Sequence, residues 1–161
     1  MRRPPATNTV SPRVVTVLSL SPNRDDHTSL RTIFDRSEWS LFGESKWALR
    51  VCTGVESALT ALREDTIPIV IAERDLAPVS WKEMLARISL LPDPPLLIVT
   101  SLLADEYLWA EALNLGVYDV LAKPFDASEV IRVLSLAWQH WLNRHDLHRV
   151  RTGQRKAATA A

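Results

Sequence analysis

Few side chains in this sequence belong to the types that carry covalent or metal chemistry, and their spacing excludes most of the reactions they could serve. Cys52 is the single cysteine, which rules out an intramolecular disulfide and any multi-cysteine metal site; it reads as a small buried core residue. His140, His145 and His148 cluster near the end of the last helical pattern, a spacing that could gather imidazoles around zinc. No carboxylate or cysteine completes that set, and a solvated helix terminus that favours cations is the simpler account. Ser21-Pro22-Asn23-Arg24 contains no glycine, which argues against a phosphate-cradling loop of the P-loop or dinucleotide kind. No serine sits in a Gly-x-Ser-x-Gly turn, so a nucleophilic hydrolase is equally unsupported. What stands out instead is polar residues at the ends of apolar runs: Glu73 behind Ile69-Val70-Ile71-Ala72, and Thr100-Ser101 behind Leu96-Leu97-Ile98-Val99.

Those runs belong to a regular alternation. Five apolar runs of strand length are each followed by a segment with helical spacing, the pattern of a parallel sheet covered by helices on both faces. Val14 to Leu20 is rich in β-branched residues and predicts a central first strand. Trp47 to Cys52 alternates large apolar with smaller or charged residues, as a half-exposed edge strand would. The strands at 69–72 and 96–99 are apolar throughout, and the fifth lies at Tyr118 to Leu121. Between them, Leu30, Ile33 and Phe34 share one helical face, with Asp25 or Asp26 as the cap; Val55, Ala58, Leu59 and Leu62 form a second stripe behind a Thr53 cap. Pro78 and Ser80 open a third helix. The helix from Ala104 stops at Gly116, where positive φ is expected. The last helix starts near Asp126 and carries Val130, Val133, Leu134, Ala137 and Trp141, ending about His145.

At 161 residues the chain holds one core. Lys+Arg and Asp+Glu balance at 19 each, so the molecule as a whole exerts no pull on nucleic acid or anionic lipid. No secretory signal and no run of membrane-spanning length is legible, which predicts a soluble, cytoplasmic protein without membrane association. Residues 1–12 and 146–161 have too few apolar groups to offset their ordering entropy, so a domain over 13–145 is expected between a disordered N-terminal segment and a disordered basic tail. That tail carries Arg149, Arg151, Arg155 and Lys156 but offers no recognition helix, which argues against nucleic-acid binding.

The stretch from Glu111 to Phe125, ending in Lys123-Pro124-Phe125, is similar to the segment joining the fourth helix to the fifth strand in receiver domains of response regulators, the CheY-like family. Thr100-Ser101 stands where that family places a hydroxyl residue and a small one. The resemblance spans roughly Arg13 to Trp141. It implies a flavodoxin-like, doubly wound five-stranded parallel sheet of order 2-1-3-4-5, helices on both faces, with the functional crevice at the carboxyl ends of the strands.

Carried over residue by residue, the resemblance puts Ser21 and Pro22 where the family has two metal-binding acids and Glu73 where it has the phosphoacceptor aspartate. Lys123, followed by Pro124, matches the phosphoryl-pairing lysine, Thr100 the mobile hydroxyl, and Val120 the switch aromatic. With those acids replaced, magnesium binding should be weak or absent, and no other cofactor is implied. The expected activity is signalling by a stand-alone pseudo-receiver, not an enzyme, without the usual aspartyl phosphorylation. Glu73 either pairs with Lys123 and holds one signalling-like state, or forms a solvated ion pair of little consequence. Two alternatives stay open: a phosphorylatable regulator of a two-component relay using a relocated acceptor such as Asp75, and, remotely, a small flavodoxin-like enzyme. Expected partners are proteins, a histidine kinase or a downstream regulator, with a possible homodimer through the fourth helix, fifth strand and fifth helix. Of the six tryptophans, Trp109, Trp138 and Trp141 lie on the last two helices and are candidate contact residues there, Trp138 being the best exposed candidate.

Overall fold

The computed structural model describes residues 13–36 and 45–159. The disordered segment expected over 1–12 and the loose stretch at Phe42-Gly43 lie outside the described residues. In chain order the elements are β1 (Val14–Leu20), α1 (Arg24–Arg36), β2 (Lys46–Cys52), α2 (Val55–Glu64), β3 (Ile69–Glu73), β4 (Asp75–Leu76), β5 (Val79–Ser80), α3 (Trp81–Ser89), β6 (Leu96–Ser101), α4 (Glu106–Leu115), β7 (Asp119–Ala122) and α5 (Ala127–Thr159). Five strands form one parallel sheet in the order β2-β1-β3-β6-β7. With β4 and β5 set aside, that is the order expected from the sequence.

The period of two along each strand sends alternate residues to opposite faces and so builds two cores. Leu18, Val70, Leu97, Val99 and Val120 face α2, α3 and α4, whose Leu59, Met84 and Leu108 they meet. Val17, Ile69, Ile71, Ile98 and Leu121 face α1 and α5 and meet Leu30, Phe34, Val130 and Leu134. Because β3 and β6 are covered on both sides they are apolar along nearly their whole length, whereas β2 pairs only with β1 and stays half-buried.

Gly116 closes α4 at φ 102°, and its N–H reaches back to Ala112 and Leu113 carbonyls. Other boundaries differ from the sequence reading. Gly54, not Thr53, precedes α2, and it supplies no side-chain cap. Asp75 to Ser80 forms a small antiparallel hairpin, β4-β5, ahead of α3.

The largest difference is α5. Apolar periodicity predicts its end near His145 and a disordered tail beyond, yet the helix continues to Thr159. Periodicity reports burial, not helicity. Once a stem is anchored, each added residue gains a hydrogen bond without a new nucleation cost. The anchor is specific: Arg144 Nη2 donates to the Pro94 carbonyl at 2.8 Å, the His145 ring lies 2.8 Å from the Asp93 carboxylate, and Trp141 stacks on His145 at 4.0 Å.

Candidate functional site

Parallel pairing brings the polar strand ends together. Glu73 lies opposite Thr100 in the β3–β6 register, and the Thr100 hydroxyl donates to Glu73 Oε2 at 3.3 Å. One strand over, the Lys123 N–H donates to the Ser101 carbonyl at 3.0 Å and aims the side chain back across the sheet edge. Lys123 Nζ forms an ion pair with Glu73. It also donates to Asp26 Oδ2 at 3.0 Å.

The sequence leaves Asp25 and Asp26 open as substitutes for the lost acids but favours them as helix caps, and the structure brings Asp26 into the pocket. The sequence assigns it, or Asp25, to the cap of α1, but Asn23 does that work: its Oδ1 accepts the Asp25 N–H at 3.0 Å. Asp26, one position further into the first turn, is buried and faces the strand ends. A signal for this was present, since 26, 30 and 34 fall four apart and place Asp26 on the same face as Leu30 and Phe34. Ser21, buried after β1, donates its hydroxyl to Asp26 Oδ2 at 2.7 Å and accepts the Asn23 N–H at 3.1 Å. His27, also buried and not singled out in the sequence, places Nε2 2.9 Å from the Ser21 carbonyl and Nδ1 2.8 Å from the Ser19 hydroxyl. A carbonyl can only accept, so Nε2 carries the hydrogen. His27 thereby holds the turn from which Ser21 reaches Asp26.

The result is a continuous polar chain running Thr100, Glu73, Lys123, Asp26, Ser21, His27. Its charged members are enclosed: Lys123, Asp26 and Glu73 side chains are 9%, 10% and 12% exposed. That corrects the reading of Glu73 and Lys123 as a solvated pair. Burial by itself pulls the Lys123 pKa down, but hydrogen bonds and charge from Glu73 and Asp26 more than offset it and hold the ammonium above its usual range.

Whether a divalent cation fits can be judged from these donors. Magnesium needs about six oxygens in near-octahedral array. Here both carboxylates already converge on one ammonium, and among the described residues no three His, Cys, Asp or Glu side chains group as metal ligands.

The other expected site residues fall as follows. Ser101 is buried and its hydroxyl accepts the Leu103 N–H at 3.1 Å. Pro22 and Pro124 are exposed at the rim. Val120 is buried within the α2–α4 core. Asp75 is exposed on the β4-β5 hairpin and lines a separate cleft with Arg74, Lys82, Tyr107 and Glu111. Trp109 is half-buried against that core.

Trp138 and Trp141 are corrected: both are buried in the α1–α5 core, at 6% and 5% exposure, so neither is a free contact residue. Trp138 is four residues from Leu134 and eight from Val130, which puts it on the inward stripe. Large apolar side chains that are exposed include Leu102, Leu103 and Tyr107, just after β6 and at the start of α4. His140 lies 5.7 Å from Tyr118 and His145 pairs with Asp93, so those imidazoles are engaged separately; the His148 side chain lies outside the described residues.

No family model matches the sequence, and no curated protein does. Solved structures do. The signal receiver domain of an HD domain-containing protein from Pseudomonas fluorescens Pf-5 superposes with TM-score 0.71 at 22% identity, covering 88% of this chain and 98% of that one. The signal receiver domain of a putative LuxO repressor protein from Vibrio parahaemolyticus gives TM-score 0.70 at 15% identity, over 83% and 95%. NtrX from Brucella abortus, in complex with ATP, gives TM-score 0.72 at 18% identity over 84% of this chain and 29% of that longer one. With the five-stranded order and the helices on both faces, these likenesses establish that the chain has the fold of a response-regulator receiver domain.

Proposed function

We propose that this protein acts in signal transduction as a pseudo-receiver, by protein contact, with its acid pocket held by an internal cation in place of a metal and a phosphoryl group. The observation that carries this reading is Lys123, enclosed between Asp26 and Glu73 while Thr100 donates to the same glutamate. Phosphoryl transfer depends on positioning and on metal ions that neutralise developing charge. Here the carboxylates that would gather such an ion spend their charge on the lysine. Thr100 is drawn to Glu73 without any modification, so the pocket rests in one arrangement. Magnesium binding is weak on this reading.

The relocated acceptor Asp75 is disfavoured by its place. It stands in the α3–α4 cleft, whose lining includes neither Lys123 nor Thr100. Partners of a receiver-like module are a histidine kinase or a downstream regulator, met through α4, β7 and α5, with Leu102, Leu103 and Tyr107 replacing the buried tryptophans as contact residues. The setting is cytoplasmic and bacterial, in keeping with the organisms of the structural neighbours; among the described residues no helix is long and apolar enough to cross a membrane.

Incubation with a small-molecule phosphodonor and magnesium, followed by intact mass, tests the reading. The expected spectrum is that of the unmodified chain. A phosphoryl adduct on Asp26, Glu73 or Asp75 contradicts it.

A further inference from the structure

The imidazole of His145 faces acceptors on both sides. Its Nδ1 lies 2.9 Å from the Trp141 carbonyl, one helical turn earlier on α5, and its Nε2 lies 2.8 and 3.0 Å from the two carboxylate oxygens of Asp93. A backbone carbonyl and an ionised carboxylate only accept. A neutral ring carries one N–H, so it satisfies one side and leaves a lone pair against an oxygen on the other. An imidazolium carries two and satisfies both. The Trp141 ring, stacked on the imidazole at 4.0 Å, holds the plane in which the two nitrogens point and favours a cation on its face.

The other charges around the ring are engaged elsewhere or stand farther off. On α5, Arg144 donates to the Pro94 carbonyl and sits over Trp141 at 5.2 Å, His140 lies against Tyr118, and Asp146 is exposed. From α2, Arg63 and Glu64, with Asp65 just beyond, line a neighbouring cleft that shares Pro92 and Asp93 with this one; Asp65 is paired with Arg50. The position also matters. The buried stripe of α5 ends at Trp141, and 146, 147 and 151–153 are exposed, yet the helix runs to Thr159. A segment as short as Asp146 to Thr159 is marginal as a helix in water and persists as the continuation of an anchored stem. The His145–Asp93 pair is part-exposed, 33% and 53% at its two side chains, so its worth is small. A marginal helix is the structure that a small change at its base can tip.

We infer that His145 is a proton-controlled latch: as an imidazolium it pins the base of the α5 extension to the Pro92–Pro94 loop, and on losing one proton it lets the extension fray. The helical extension therefore belongs to the acidic side of histidine titration, which for this side chain as a class falls between about pH 5 and 8. The latch lies at the amino end of β6 and the acid pocket at its carboxyl end, so the two work independently.

Nuclear magnetic resonance of the full chain, followed from about pH 5.5 to about pH 8, tests it. The ring nitrogen shifts of His145 should pass from two protonated nitrogens to one, and the helical Cα shifts of residues 147–158 should fall in step by about a third or more, while those of 130–141 stay fixed. A helix end favours any nearby cation, so two substitutions separate the latch from that effect. Asp93→Asn, whose amide can accept from Nε2–H or donate to the bare Nε2, should keep the extension helical across the whole range. His148→Gln should leave the wild-type response in place. Extension shifts that do not move with pH, a response that survives Asp93→Asn in full, or one that disappears in His148→Gln overturns the latch.

Discussion

At the scale of single residues the account rests on one ammonium serving two enclosed carboxylates. Breaking such a set by removing one partner leaves uncompensated buried charge, so Lys123→Met should destabilise the protein by about 3–5 kcal/mol in urea unfolding. Here the loss also leaves Asp26 and Glu73 repelling each other without mediation. A loss below about 1 kcal/mol, the range of solvated surface pairs, would place the lysine in water. The same group sets an alkaline limb. Its folded-state pKa is raised above the unfolded value near 10.4, so its contribution is complete below about pH 10.4 and disappears as pH climbs through the folded value. The stability difference between wild type and Lys123→Met should therefore be flat near neutrality and shrink only in strong alkali. Asp26→Asn should keep the fold at smaller cost, since the amide oxygen still accepts from Ser21 and Lys123 still has Glu73.

At the scale of elements, two predictions separate packing from contact. Trp138→Ala removes a buried ring from the α1–α5 core and should cost about 3–5 kcal/mol, read as a shifted denaturant midpoint, because it opens a cavity. A neutral Trp138→Ala that abolished partner binding would return that residue to the surface. Gly116→Ala should cost about 1–2 kcal/mol, because a Cβ is strained at φ 102°. The C-terminal turn at Gly116 was legible because the positive φ that closes a helix there suits glycine and few other residues. Strands and their order were legible for a related reason: continuous apolar runs such as Ile69 to Ala72 fit a sheet covered on both faces. Asp26 was harder. Two adjacent acids at a helix start look alike as caps, and which one turns inward depends on where Asn23 ends the turn, a single-residue offset. Trp138 shows the same limit, since a stripe read from few positions leaves its width undetermined. The hairpin Asp75 to Ser80 has two-residue strands, too short for any periodicity to register.

At the scale of the whole molecule, formal charge sums to zero but is segregated, with cations gathered along the α5 extension and the acid pocket enclosed at the opposite edge of the sheet. That segregation is invisible to net charge and appears only once the tail is seen to be helical. Pocket and extension are the two ends of one structure, joined by α5 packing on β1, β3 and β6. Magnesium titration of the wild-type chain, followed by the backbone amide shifts of Ser21, Glu73 and Lys123, tests the internal-cation account most directly. The account predicts no saturable change at millimolar magnesium, with a response appearing in Lys123→Ala, where both carboxylates are released. Saturable shifts of those three amides in the wild type at such concentrations would contradict it.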